Sequence, residues 1–232
     1  MNNLDVAIHE AGHAIVLASL GHANDIMHVT ATAGFLPPDL AAHLARVARY
    51  QDITESKWAR NILRRAERMT GYVQRDPDSG PLPLAVEIPY CLAGAVAELR
   101  RAPEGAFRSL TTRNLNGDIM HLSRGLKRAG YEASFGGVWR EVNRLLFQRA
   151  DAELQASSIA VGTRRLMCAV LRGDAVSNTR HDCVEVGYAL ATEKIRTHWN
   201  VVRELAGMLV EVDAVYSPEL LVFFERHGLS SA

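Results

Sequence analysis

Two histidines four residues apart, His9 and His13, with Glu10 directly after the first, are the residues of this chain best spaced for chemistry. On an α-helix, residues four apart share one face about 6 Å apart along the axis, so both histidines can turn a nitrogen toward one metal ion. The order in Ile8-His9-Glu10-Ala11-Gly12-His13-Ala14, an HExxH motif, sets Glu10 to one side of that pair. A carboxylate there reaches water activated at the metal without becoming a ligand. The expected chemistry is hydrolysis at Zn2+, which lowers the pKa of water from about 16 toward about 7, with Glu10 as general base.

Such a pair can also lie on a surface, with the glutamate facing solvent. The neighbours argue otherwise: Val6, Ile8, Ala11, Ala14, Ile15, Val16, Leu17 and Leu20 are apolar, so the polar cluster is set inside a core-facing helix. That helix is expected from about Leu4 to Leu20, with Asn2 or Asn3 as N-cap and Gly21 as its stop. Asp5 reads as a first-turn acid favoured by the helix dipole.

Catalytic zinc takes three protein ligands and leaves one position open, so a third ligand must come from elsewhere. Two carboxylates compete for it. Asp118 reads as the head of a helix running to Arg128, after the polar, turn-like stretch Thr111 to Gly117. Glu98 lies near the end of a helix expected from about Ile88 to Arg101, with Pro89 in its first turn, at a position otherwise surrounded by Leu92, Ala95, Val96 and Leu99. A buried carboxylate needs a partner, and other HExxH enzymes draw a glutamate ligand from a second helix. His121, one turn beyond Asp118, reads as a polar contact near the cleft, and His22, His28, His43, His181, His198 and His227 carry no ligand spacing.

The elements that must position these residues are mostly helical. A short strand is expected at Ile26 to Ala31 and another at Gly71 to Gln74, with the turn-rich Asp76 to Pro81 after it. Between them, Asp39 to about Met69 reads as a helical hairpin, with Leu40, Leu44, Val47 and Tyr50 as one stripe and a capping box at Asp52 and Glu55. Its arginines and lysine, diluted by Asp39, Asp52, Glu55 and Glu67, read as solvated faces. Further helices are expected at about Val138 to Ala156 after Gly136-Gly137, at Val161 to Leu171, at Val184 to Val212, and from Ser217-Pro218-Glu219 to about His227. Small residues at Ala93, Gly94 and Ala97 would let another helix approach closely, while Trp58, Trp139 and Trp199 read as packing anchors.

At 232 residues the chain can build one sizeable core. Its 26 Lys and Arg balance 26 Asp and Glu, so no global field steers it to nucleic acid or an anionic membrane. Cys91, Cys168 and Cys183 are odd in number and widely spaced, which suits a reducing compartment, and no apolar run approaches a membrane span. With the motif at residue 9 there is no room for a signal peptide ahead of it, so the expectation is a cytoplasmic protein.

Three stretches together resemble one family. Ala7 to Ala14, then Leu92-Ala93-Gly94-Ala95-Val96-Ala97-Glu98-Leu99, then Asn116-Gly117-Asp118 are similar to the peptidase domain of FtsH-type ATP-dependent zinc metalloproteases. The resemblance implies a mainly α fold with a small β-sheet next to the HExxH helix. It implies His9, His13 and Asp118 as zinc ligands, Glu10 as base and Glu98 behind the ligands. Ala23 to Thr30 resembles that family's strand after the motif helix, and Gly71, Tyr72, Val73 and Gln74 its edge strand, beside which substrate lies. Ala191 to Phe223 resembles its last long helices. The resemblance also implies a core over residues 1–183 with an insertion at about 39–69, and a C-terminal helical segment over 184–232 packing on it.

The chain departs from that family in lacking a GxxxxGK[ST] phosphate loop and a membrane anchor. The expected activity is therefore ATP-independent hydrolysis of flexible or unfolded polypeptides. A separate ATPase or partner protein could deliver substrate, and a homo-oligomer is implied by resemblance alone. The competing reading is a non-catalytic metal-binding adaptor that docks on a protein partner through the hairpin or the C-terminal helices. Glu10 speaks against it, because a structural zinc site gains nothing from a base beside its ligands.

Overall fold

The computed structural model describes residues 3–32, 34–36, 38–47, 59–60, 71–101, 107–147 and 180–229. The motif helix, α1 (Asn3–Leu17), is the central element, and every residue from Val6 to Ala18 is buried. A helix apolar on all sides belongs in the middle of a core, and here the remaining elements wrap it. It ends through a π turn, Ala18–His22, in which Gly21 takes a φ of 88°, a left-handed conformation that favours glycine.

The chain then turns into β1 (Ile26–Thr30), the middle strand of a three-stranded antiparallel sheet in the order β2-β1-β3, with β2 at Tyr72–Arg75 and β3 at Val215–Tyr216. Thr30 pairs with Tyr72 and Val29 with Val73, and a bulge between Ile26 and His28 shifts the register toward Arg75. The third strand has no counterpart in the sequence reading, since two residues carry no alternation to detect. Between β1 and β2, α2 (Pro38–Val47) buries Leu44. Tyr50, Trp58, the expected capping box at Asp52 and Glu55, and positions 61–69 of the expected hairpin lie outside the described residues.

Helix α3 (Leu84–Arg101) packs along α1. A Cβ on Gly12 would stand 2.7 Å from the Ala97 Cβ and 2.9 Å from the Ala93 carbonyl oxygen, so only a bare backbone lets the two helices approach this closely. At the far end of that contact Arg101 pairs with Asp5. The helix starts at Leu84, four residues ahead of the expected Ile88, because the Pro83 carbonyl accepts from both Val86 and Glu87 at 2.9 Å. Pro89 consequently sits inside the helix.

A second correction concerns α4 (Phe107–Arg128), a continuous helix of 22 residues in which Asp118 is interior and heads nothing. Asn114, Asn116 and Gly117 are weak helix formers and read as a turn, but tertiary packing of Ile119, Leu122 and Leu126 overrides local propensity. Helix α5 (Phe135–Phe147) takes Gly136 and Gly137 into its first turn, where they were expected to precede the helix. Residues 148–156 and the expected helix at Val161 to Leu171 lie outside the described residues.

The expected single helix from Val184 to Val212 is two, α6 (Arg180–Thr197) and α7 (Trp199–Glu211), separated at His198 with φ of −106° and ψ of 24°. Helix α6 packs on α3 and α7 on α1, and α8 (Ser217–Arg226) closes the sheet side with Pro218 in its first turn. One hydrophobic cluster runs from Val6 through Leu229, so the C-terminal helices share the core with the motif helix. Trp199 lies under the Arg100 guanidinium and Trp139 stacks on Phe135, both as packing contacts. Cys91 and Cys183 are buried free thiols, and no described helix is long and apolar enough to cross a membrane.

Candidate metal centre

His9, Glu10 and His13 are polar residues in the most buried helix of the protein, 3%, 6% and 3% exposed. Burying them is costly unless each finds a partner, and the partners define the site. The backbone carbonyl of Tyr90 lies 2.6 Å from His13 Nδ1 and can only accept, so this nitrogen carries the hydrogen. His9 Nδ1 lies 2.6 Å from Glu98 Oε1 and donates to that buried carboxylate.

With both Nδ1 atoms turned to these partners, Nε2 is the atom each ring has left for a metal ion or, where none is bound, for a proton. These two nitrogens lie 3.0 Å apart. Asp118 Oδ2 completes a triangle, 3.1 Å from His9 Nε2 and 3.5 Å from His13 Nε2. Three potential ligand atoms thus converge, with protons alone to hold them together in the absence of an ion, and a shared cation can take the place of those protons. Among the described residues, His9, His13 and Asp118 form the candidate metal-binding triad, with one ligand atom each within 4.8 Å of the others.

The proton equilibria report the same convergence. Burial works against charge at His9, yet the hydrogen bonds and charges of Asp118 and Glu98 outweigh it and hold the imidazole well above its ordinary value. Burial likewise opposes the charge of Asp118, but His13 and His9 hold that carboxyl well below the usual carboxylate range. Glu10 stands apart from the triangle. Burial pushes its carboxyl up to about 7, against the opposing charges of His9 and His13.

Space at the centre comes from glycine. A Cβ on Gly94 would stand 2.5 Å from His9 Nε2 and 2.6 Å from His13 Nε2, and one on Gly71 would stand 2.9 Å from Glu10 Cγ. A cleft of ≈ 750 Å³ opens over the triad and over Glu10. Gly71, Tyr72, Val73 and Gln74 line one wall of it, on a strand that lies at the edge of the sheet among the described residues. His121, one turn beyond Asp118 on α4, lines the same cleft.

All the residues singled out from the sequence therefore reach one place, in distinct positions. Asp118 faces the histidine pair directly, whereas Glu98 touches His9 on the ring nitrogen turned away from it. Two contributors were not read from the sequence. The Tyr90 carbonyl leaves no side-chain signature, and Glu87, bound to Arg128, belongs to a pair separated by 41 positions. Comparison of the chain with protein-family models, with curated proteins and with solved structures returned no match.

Proposed function

We propose that this protein is a zinc metalloendopeptidase with an FtsH-type peptidase fold, cleaving flexible or unfolded polypeptides without ATP. The observation that carries the reading is the convergence of the two Nε2 atoms and the Asp118 oxygen, with the buried carboxylate of Glu10 beside them. The triangle's edges of 3.0, 3.1 and 3.5 Å bracket the separation of about 3.3 Å between tetrahedral ligands held at about 2.0–2.1 Å from zinc. The donor set of two imidazoles and one carboxylate is also one that zinc accepts.

A zinc ion held by His9, His13 and Asp118 would supply Lewis acidity to the scissile carbonyl and to the attacking water. The residues of the chain do the rest. Glu98 and the Tyr90 carbonyl fix the two imidazoles in the tautomer that leaves both Nε2 atoms available. Glu10 removes a proton from water as the water oxygen bonds to the carbonyl carbon. It then returns that proton to the nitrogen as the C–N bond breaks, leaving a carboxylic acid and an amine. Burial raises the Glu10 carboxyl above the usual carboxylate range, the direction that makes it a stronger proton acceptor. An extended substrate fits along the edge of β2, where backbone hydrogen bonds are indifferent to sequence.

The test pairs metal content with activity: elemental analysis, then cleavage of unfolded casein by the wild type and by Glu10→Gln. One zinc per chain, with cleavage lost in the variant, is the expected result. One zinc with no cleavage by either protein would overturn the peptidase reading in favour of a metal-binding adaptor.

A further inference from the structure

The cleft extends past the metal centre to the N-terminal end of α3, where the mechanism uses nothing, and two arginines line it there. Arg128, at the end of α4, places its Nη2 at 2.6 and 2.8 Å from the two carboxylate oxygens of Glu87. Glu87 is 9% exposed and packs against the bare backbone of Gly125, where a Cβ would lie 2.6 Å from its carboxylate carbon. Thus the carboxylate is sunk between two helices while the Arg128 side chain stays 54% exposed. The other N–H groups of Arg128 make no hydrogen bond among the described residues.

Arg75, at the end of β2, lines the same cleft. Its Nη2 is used by Asp25, Ser79 and the Gly80 carbonyl, and its Nε is buried without a partner among the described residues. Glu87 precedes Gly94 by seven residues on α3, a rise of about 10 Å at about 1.5 Å per residue. Arg128 follows Asp118 by ten residues on α4, a rise of about 15 Å, and an extended chain advances about 3.3 Å per residue, so this end of the cleft lies about three to five substrate residues from the triad.

We propose that Arg128, held by Glu87 and sharing the cleft with Arg75, is a specificity determinant that binds a carboxylate of the substrate about three to five residues from the scissile bond. This rests on the peptidase reading above for which bond is cut, but the carboxylate site itself is a property of the cleft. A plain pin between α3 and α4 would be complete with Glu87 and Arg128 alone. It would need neither a half-exposed guanidinium nor a second arginine lining the same cleft. A fixed guanidinium presents paired donors that match a carboxylate and discriminate against neutral groups. The carboxylate has two sources, an Asp or Glu side chain and a free peptide C-terminus.

Titration calorimetry on the zinc-loaded Glu10→Gln protein separates them. Three sets of otherwise neutral peptides are used: amidated with one Glu scanned along the chain, unamidated and progressively shortened, and amidated without acid. We expect about tenfold tighter binding for one register of the first or second set, weakened by added salt. The preference should fall to about onefold in Arg128→Gln and in the double variant Glu87→Gln/Arg128→Gln, which leaves no buried carboxylate stripped of its partner. Equal binding of all three sets, or a preference that survives the double variant, overturns the proposal. Cleavage of the same peptides by the wild type is scored separately. Cleavage without preference refutes the role of Arg128, and preference without cleavage refutes the peptidase reading alone.

Discussion

Gly94 on α3 faces the motif histidines so closely that a methyl group there would stand 2.5 Å from His9 Nε2 and 2.6 Å from His13 Nε2. The missing side chain is thus a part of the candidate metal centre, since the space it leaves is where the two histidine nitrogens lie. Gly94→Ala is expected to reduce zinc from one per chain to a small fraction, read by elemental analysis. Gly117 is the control. It lies one residue from Asp118, but nothing stands within 4 Å of where its Cβ would be. Gly117→Ala should keep zinc and, by removing a helix-interior glycine, stabilise the protein by about 1 kcal/mol, raising Tm by about 2–4 °C. Retained stoichiometric zinc in Gly94→Ala would remove the steric account.

The contrast shows how much of the site the sequence displays. His9, Glu10 and His13 are legible because their geometry is local: helix pitch alone puts two nitrogens on one face. The closeness of α1 and α3 is half legible, as small residues at Ala93, Gly94 and Ala97. That Gly94 opens onto the ligand nitrogens while Gly12 meets the Ala97 methyl depends on the register of two helices about 80 positions apart. Asp118 was singled out as the head of a helix, and it lies inside one. Its place beside the histidines follows from how α4 packs against α3, which local propensity does not encode. The break at His198 escaped for a similar reason, since the apolar pattern continues through it.

Asp118 and Glu98 differ in which histidine nitrogen they meet, and this separates their roles by experiment. Asp118→Ala deletes an oxygen from the triangle and should release zinc, while circular dichroism still reports the helices. Glu98→Gln leaves an amide acceptor for His9 Nδ1 but removes its charge, so zinc should bind about 10- to 100-fold more weakly at unchanged stoichiometry. Chelator competition measures both. The reverse order, with zinc lost in Glu98→Gln and kept in Asp118→Ala, would make Glu98 the ligand.

Away from the metal, His28 gives the fold a dependence on pH. It is buried on the central strand among the rings of Phe35, Tyr72 and Tyr216, with its Nε2 3.2 Å from the Tyr72 hydroxyl. Burial lowers its pKa below the ordinary value near 6.5, so the unfolded chain takes up the proton first as pH falls. The sign follows: this contribution is fully present above the unfolded value and is lost as pH falls through the lower folded value. His28→Phe keeps an aromatic ring in the cluster and has nothing to titrate. The urea midpoint should therefore drop less between pH 8 and pH 5 in His28→Phe than in the wild type, even though the variant loses the hydrogen bond to Tyr72. Paired unfolding curves at the two pH values measure the difference. An equal drop in both proteins would mean that His28 is accommodated as readily with its proton as without it, and the acid sensitivity would have to be sought at the carboxylate pairs.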